Sequence, residues 1–112
     1  MSLLQDLRGK LIVSVQAPVG SALDDPYVLA AMARAAQDAG AAAVRMQGID
    51  NLRAARKRVT VPIVGIVKRE HAGFGPYITP TLADAREIAA LGCEIVAFDV
   101  TRRARPASAV IR

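Results

Sequence analysis

Ile63-Val64-Gly65-Ile66-Val67-Lys68 (IVGIVK) is an apolar run that opens after Pro62 and ends abruptly in a lysine. Its length, its β-branched content and the absence of polar alternation mark a buried strand of a parallel sheet. Working upstream, Asp50 is a candidate cap for a helix over Asn51 to Val59, near Pro62. Before that, Ala42 to Gln47 reads as a short strand closed by Gly48. Asp25 stands in an N-cap position with Pro26 in the first turn, and apolar residues at Val28, Leu29, Met32, Ala35 and Ala36 carry a helix to a stop at Gly40. Leu11 to Ala17 (LIVSVQA), between Gly9 and Pro18, is another strand, preceded by a short amphipathic leader. Downstream, Arg69 to Pro80 forms a loop rich in Gly and Pro. Thr81 and Asp84 then form a capping pair for a helix ending at Gly92, and Glu94 to Asp99 makes a fourth strand. Thr101 to Arg112 reads as a loop and the start of a helix.

The resulting order is β-α-β-α-β-α-β without a Pro/Ser linker, which means an α/β fold with a parallel sheet and crossover helices. A small open doubly wound sheet and four βα units of an eight-unit barrel both fit. Only 4% of the 112 residues are aromatic while 53% are hydrophobic, so the core must come from Ala, Val, Ile and Leu.

The net charge of +5 raises nucleic-acid binding as a possibility, with Arg53, Arg56, Lys57 and Arg58 in one segment and Arg102, Arg103 and Arg105 in another. Tyr27, Phe74, Tyr77 and Phe98 are scattered away from these charges, so no stacking platform accompanies them and no nucleic-acid partner is expected. The first cluster reads as a solvated helix face. Cys93 has no second cysteine, which excludes an intramolecular disulfide and points to a reducing cytoplasm. In its apolar stretch it reads as a small buried hydrophobe before a nucleophile. The N-terminus is too polar for a signal peptide, and no apolar run reaches the ~20 residues of a membrane span.

Chemistry is suggested by how the strands end. The first finishes at Gln16, the second at Arg45 and Gln47, the third at Lys68 and the fourth at Asp99. Substrate sites of parallel α/β folds lie at that edge, where loops and helix N-termini converge. Lys68 stands out because it follows five apolar residues. Burial and the positive charge of Arg45 would both favour the neutral amine that a general base requires, whereas direct pairing with Asp99 would oppose it. A Schiff base with a carbonyl substrate and simple phosphate anchoring are equally open from residue type. His71, in the following loop, reads as solvated. Walker, dinucleotide, histidine-metal and Gly-x-Ser-x-Gly patterns are absent from the sequence.

LIVSVQAP (Leu11 to Pro18), Arg45, VPIVGIVKR (Val61 to Arg69), ITPT (Ile78 to Thr81) and IVAFDVTRRARP (Ile95 to Pro106) together resemble the N-acetylmannosamine-6-phosphate 2-epimerases. The likeness runs in order over nearly the whole chain. It implies a (β/α)8 TIM barrel that inverts carbon 2 of an N-acetylhexosamine 6-phosphate by proton transfer, joining the mannosamine and glucosamine forms in sialic-acid breakdown. It also implies a cytoplasmic enzyme with no metal and no organic cofactor. Lys68 falls on the family's proton-transfer lysine. Gln16, Arg45 and Asp99 fall on positions that line the sugar site, and Arg103 belongs to the tail motif near the same mouth. Val15 replaces the family's usual cysteine, and Met46-Gln47 departs from the pairs relatives carry, which leaves the role of Gln47 open.

A barrel of this kind is about twice this long. The resemblance therefore implies that residues 1–112 form a single N-terminal half-barrel, an incomplete domain. The glutamate that the family pairs with its lysine and the loops that hold the phosphate fall in the other half. Two open strand edges and a bare apolar inner face predict a homo-oligomer or association through those edges. Two readings compete with the epimerase: a non-catalytic sugar-phosphate-binding module, and an aldolase-like enzyme using Lys68 as an imine.

Overall fold

The structure is a computed structural model that describes residues 2–75 and 77–104. A short helix α1 (Leu3–Leu7) is opened by a capping box between Ser2 and Gln5. The chain then alternates through β1 (Ile12–Ser14), α2 (Pro26–Asp38), β2 (Ala43–Gln47), α3 (Ile49–Arg56), β3 (Ile63–Ile66), α4 (Leu82–Ala90) and β4 (Ile95–Val96). The expected final loop is described only as far as residue 104; Arg105 and Pro106 of the tail motif lie outside the described residues.

The strands are parallel and lie in chain order, β1-β2-β3-β4. Strand pleating sends alternate side chains to opposite faces. Val13 and Val15 of the first strand segment, Val44 and Met46 of β2, Ile63 and Val67 around β3, and Val96 of β4 share one core with Leu29, Ala30 and Ala33 of α2, Leu52 and Ala55 of α3, and Ile88 of α4. The other face is lined by Ile12, Ser14, Arg45, Val64, Ile66 and Ile95, and Ile12 there is 41% exposed. A doubly wound sheet would reverse its strand order and carry helices on both faces. Sequential order with helices on one face is the wall of a barrel, the side without helices being the inner surface, where Val64 and Ile66 are nonetheless buried. Among the described residues this wall comprises three βα units and the strand of a fourth.

Local chemistry explains the boundaries. Asp25 caps α2, its Oδ1 accepting from the backbone N–H groups of Tyr27 and Val28 at 2.8 and 3.1 Å, with Pro26 as the first helical residue. Thr81 caps α4 and donates its hydroxyl to Asp84 at 2.8 Å, as the capping pair predicts. The expectation for α3 needs correcting, because the helix starts at Ile49 rather than Asn51. Gly48, at φ 94°, turns the chain directly from β2 into the helix, and Asn51 donates its side-chain amide back to the Gln47 carbonyl at 2.9 Å. Asp50 sits in the first turn and pairs with Arg53 instead of capping.

The charge run also divides. Arg53 is solvated, but Arg56 is mostly buried: it pairs with Glu94 at 2.7 Å and donates to the carbonyls of Val59, Val61 and Gly92. Glu94 in turn accepts from the Ile63 N–H, so this arginine ties the end of α3 to the start of β3 and β4. Cys93 is half-buried beside the core, and burial pushes its thiol pKa up; the Arg56 charge opposes that shift and Glu94 adds to it.

Candidate active site at the carboxyl edge of the sheet

The register places Arg45 on the inner face, and alternation continued from Ser14, Ile66 and Ile95 brings Gln16, Lys68 and Asp99 to the same side just beyond the carboxyl ends of their strands. Two contacts organise them. Lys68 Nζ donates to Gln16 Oε1 at 2.9 Å, and Gln16 Nε2 donates to Ser14 Oγ at 3.0 Å. A glutamine on β1's extension thereby fixes the lysine amine across the width of β2. The second contact joins Asp99 to Arg103 at 2.7 Å. Arg45 is half-buried on the same face, and among the described residues its guanidinium has no ion-pair partner. Lys68 is exposed, which corrects the expectation of burial, although Val64 and Ile66 before it on the same face are buried.

Asp99 is the most strongly prepared group. Its carboxylate accepts from the Thr101 N–H at 2.7 Å, and Thr101 Oγ1 accepts in turn from Arg103 Nε at 3.1 Å. The Thr101 hydroxyl and amide, ahead of the Arg103 guanidinium, hold the Asp99 pKa down from 3.8 to about 2, against a smaller opposing effect of desolvation. Arg103 also lies over Gly75, where an added Cβ would come within 2.7 Å of Nη1. The tail motif and the loop after β3 are thus packed together. That loop encloses a cleft of about 390 Å³ lined by Glu70, His71, Ala72, Phe74, Gly75 and Tyr77. His71 is half-buried rather than solvated, and its Nε2 is buried without a hydrogen-bond partner among the described residues.

The sequence offered no sign of the part played by Thr79. The loop turns back on itself, so that the Arg69 N–H donates to the Tyr77 carbonyl and the Thr79 N–H to the Val67 carbonyl, with Lys68 opposite Ile78. Ile78 and Thr79 therefore lie between the carboxyl ends of β3 and β4, which ends both strands short of the expected Lys68 and Asp99. Thr101 likewise does not stand out by residue type in the sequence, although its hydroxyl and amide set the state of Asp99. A threonine two residues after an aspartate at a strand end is the one sequence signal that marks it, since such side chains accept from nearby N–H groups.

A protein family described as "Putative N-acetylmannosamine-6-phosphate epimerase" matches residues 29–111. The chain belongs to this family. A relative from Salmonella typhimurium named "Putative N-acetylmannosamine-6-phosphate 2-epimerase 1" is 49% identical over 112 residues, covering 95% of this chain and 50% of the relative. One from Caldanaerobacter subterraneus is 40% identical, covering 95% and 45%. The solved structure of the N-acetylmannosamine-6-phosphate 2-epimerase from Clostridium perfringens superposes with a TM-score of 0.88 at 37% identity, covering 95% of this chain and 46% of that one. The chain thus spans about half the length of the family members it matches, and its wall is that of the family's TIM barrel.

Proposed function

We propose that this chain carries the proton-transfer side of a barrel that interconverts N-acetylmannosamine 6-phosphate and N-acetylglucosamine 6-phosphate. The observation that carries the reading is the Lys68 amine, held 2.9 Å from Gln16 on the inner face at the carboxyl edge. In the open-chain sugar, carbon 2 lies beside an aldehyde. Removing its proton leaves an enolate whose negative oxygen needs a cation or donors. The Lys68 amine takes the carbon-2 proton, and Arg45 on the neighbouring strand offers positive charge to the enolate oxygen. Gln16, Asp99 and Arg103 bind the sugar, with Gln16 also orienting the amine. Inversion then needs a proton returned from the opposite face. One wall of a barrel cannot reach that face, so the reading gives this step and phosphate binding to the facing half. That half is supplied by association through the open edges of β1 and β4, as a homo-oligomer or with further βα units. The reaction would serve sialic-acid breakdown in the cytoplasm, without metal or organic cofactor.

Incorporation of solvent deuterium at carbon 2 of N-acetylmannosamine 6-phosphate tests the reading. At high protein concentration the chain should catalyse exchange, and Lys68→Met should lower it at least about a hundredfold. Absence of exchange would sink turnover by this chain and favour a binding module, whereas borohydride trapping of a sugar adduct on Lys68 would favour the imine enzyme.

A further inference from the structure

Thr79 is buried, with 2% of its surface exposed, and it is the one non-glycine residue at positive φ among those described, at 45°. For a β-branched side chain this is a strained backbone that persists only where its surroundings impose it, and such strain concentrates at functional sites. What imposes it is visible in the sheet. The β3–β4 register continues as far as the Ala97 N–H, which donates to the Gly65 carbonyl at 3.1 Å. In a parallel ladder the next rung would run from the Val67 N–H to the Ala97 carbonyl. The Thr79 hydroxyl stands inside that rung, accepting from the Val67 N–H at 3.3 Å and donating to the Ala97 carbonyl at 2.7 Å. The Thr79 N–H donates to the Val67 carbonyl at 2.6 Å, and the preceding Ile78 accepts from the Asp99 N–H at 3.2 Å. The residues immediately beyond this inserted rung are Lys68 on one strand and, two places on from Ala97, Asp99 on the other.

We infer that Thr79 is a positioning residue for proton transfer: its hydroxyl, inserted as a spacer between β3 and β4, sets where Lys68 and Asp99 stand relative to each other. The inference rests on the epimerase reading. Thr79→Val keeps the shape and the β-branch but cannot bond, leaving the Val67 N–H and the Ala97 carbonyl unpaired, while Thr79→Ser keeps the hydroxyl and loses only a methyl.

In the carbon-2 exchange assay, with rates referred to the folded fraction from circular dichroism, Thr79→Val should lower kcat about tenfold or more while KM moves by less than about threefold. Thr79→Ser should stay within about threefold of the parent. An unchanged kcat in Thr79→Val, or a tenfold fall in Thr79→Ser, would overturn the inference; if Thr79→Val does not fold, Thr79→Ser decides it alone. A parent chain without exchange defeats the epimerase reading and moves the test to ligand-free NMR. There, the Lys68 side-chain and Asp99 carboxyl resonances should shift in Thr79→Val and hold in Thr79→Ser. Resonances that stay in place in Thr79→Val would reject the positioning role.

Discussion

Asp99 shows how much of the site is set by single side chains. Its carboxylate is stabilised by the Thr101 hydroxyl and amide and by Arg103, so its pKa in the folded chain lies near 2, below the ordinary 3.8. Because the folded value is the lower one, this group stabilises the fold where it is ionised in both states, and that contribution is lost as pH falls from about 4 towards 2. Asp99→Asn removes the titration. The variant should be less stable than the parent at pH 7 and should show a flatter loss of stability between about pH 4 and 2. Denaturant unfolding at a series of pH values measures both profiles, and parallel slopes would show that Asp99 does not carry the acid sensitivity. The same reasoning explains why Lys68 and Asp99 were legible in the sequence while Thr79 and Thr101 were not. A charged residue after an apolar run stands out by type, whereas a threonine acquires its role only through partners such as Ala97, 18 positions away.

At the scale of elements, legibility followed the strength of local signals. Asp25 with Pro26, and Thr81 with Asp84, marked their helix starts because a cap is made with N–H groups two or three residues away. The start of α3 was misplaced because Gly48 turns the chain at positive φ, and a glycine does not announce which turn it makes. Strand ends were overextended for a tertiary reason: the returning loop at Tyr77 to Thr79 takes the backbone partners that β3 and β4 would have shared. Gly65, in the middle of β3, has a packing role that its neighbours impose. A Cβ there would lie 2.6 Å from Ile88 Cγ2, 3.1 Å from Cys93 Sγ and 3.3 Å from Leu52 Cδ1. Helices α3 and α4 can approach β3 only because that atom is missing. Gly65→Ala should therefore cost roughly 1–3 kcal/mol of stability, the usual range for overpacking. Urea unfolding should show the midpoint shift, and a neutral or stabilising outcome would mean that the helices give way more easily than this packing implies.

At the scale of the molecule, the described residues form one wall of a barrel with the candidate site on the side that carries no helices. Helices α2, α3 and α4 cover one face of the sheet, while the inner face presents Ile12 at 41% exposure together with Arg45 and the exposed Lys68. The outer strands of the described sheet, β1 and β4, offer backbone groups along their free edges. The exposed Ile12 beside a free strand edge favours association. The like charges of Arg45 and Lys68 resist bringing two inner faces together, and salt screens that resistance over a Debye length of about 8–10 Å at 0.1–0.15 M. Sedimentation at increasing concentration should therefore give a mass above the 11.8 kDa of one chain, and association should strengthen as salt rises. Ile12→Lys adds charge to both the inner face and an edge strand and should weaken it at every salt concentration. A single species of one chain's mass throughout would mean that the inner face and the free strand edges are tolerated in water. Strong association that weakens with salt would instead indicate contacts between oppositely charged outer surfaces, leaving the inner face, and Lys68 with it, open to a ligand.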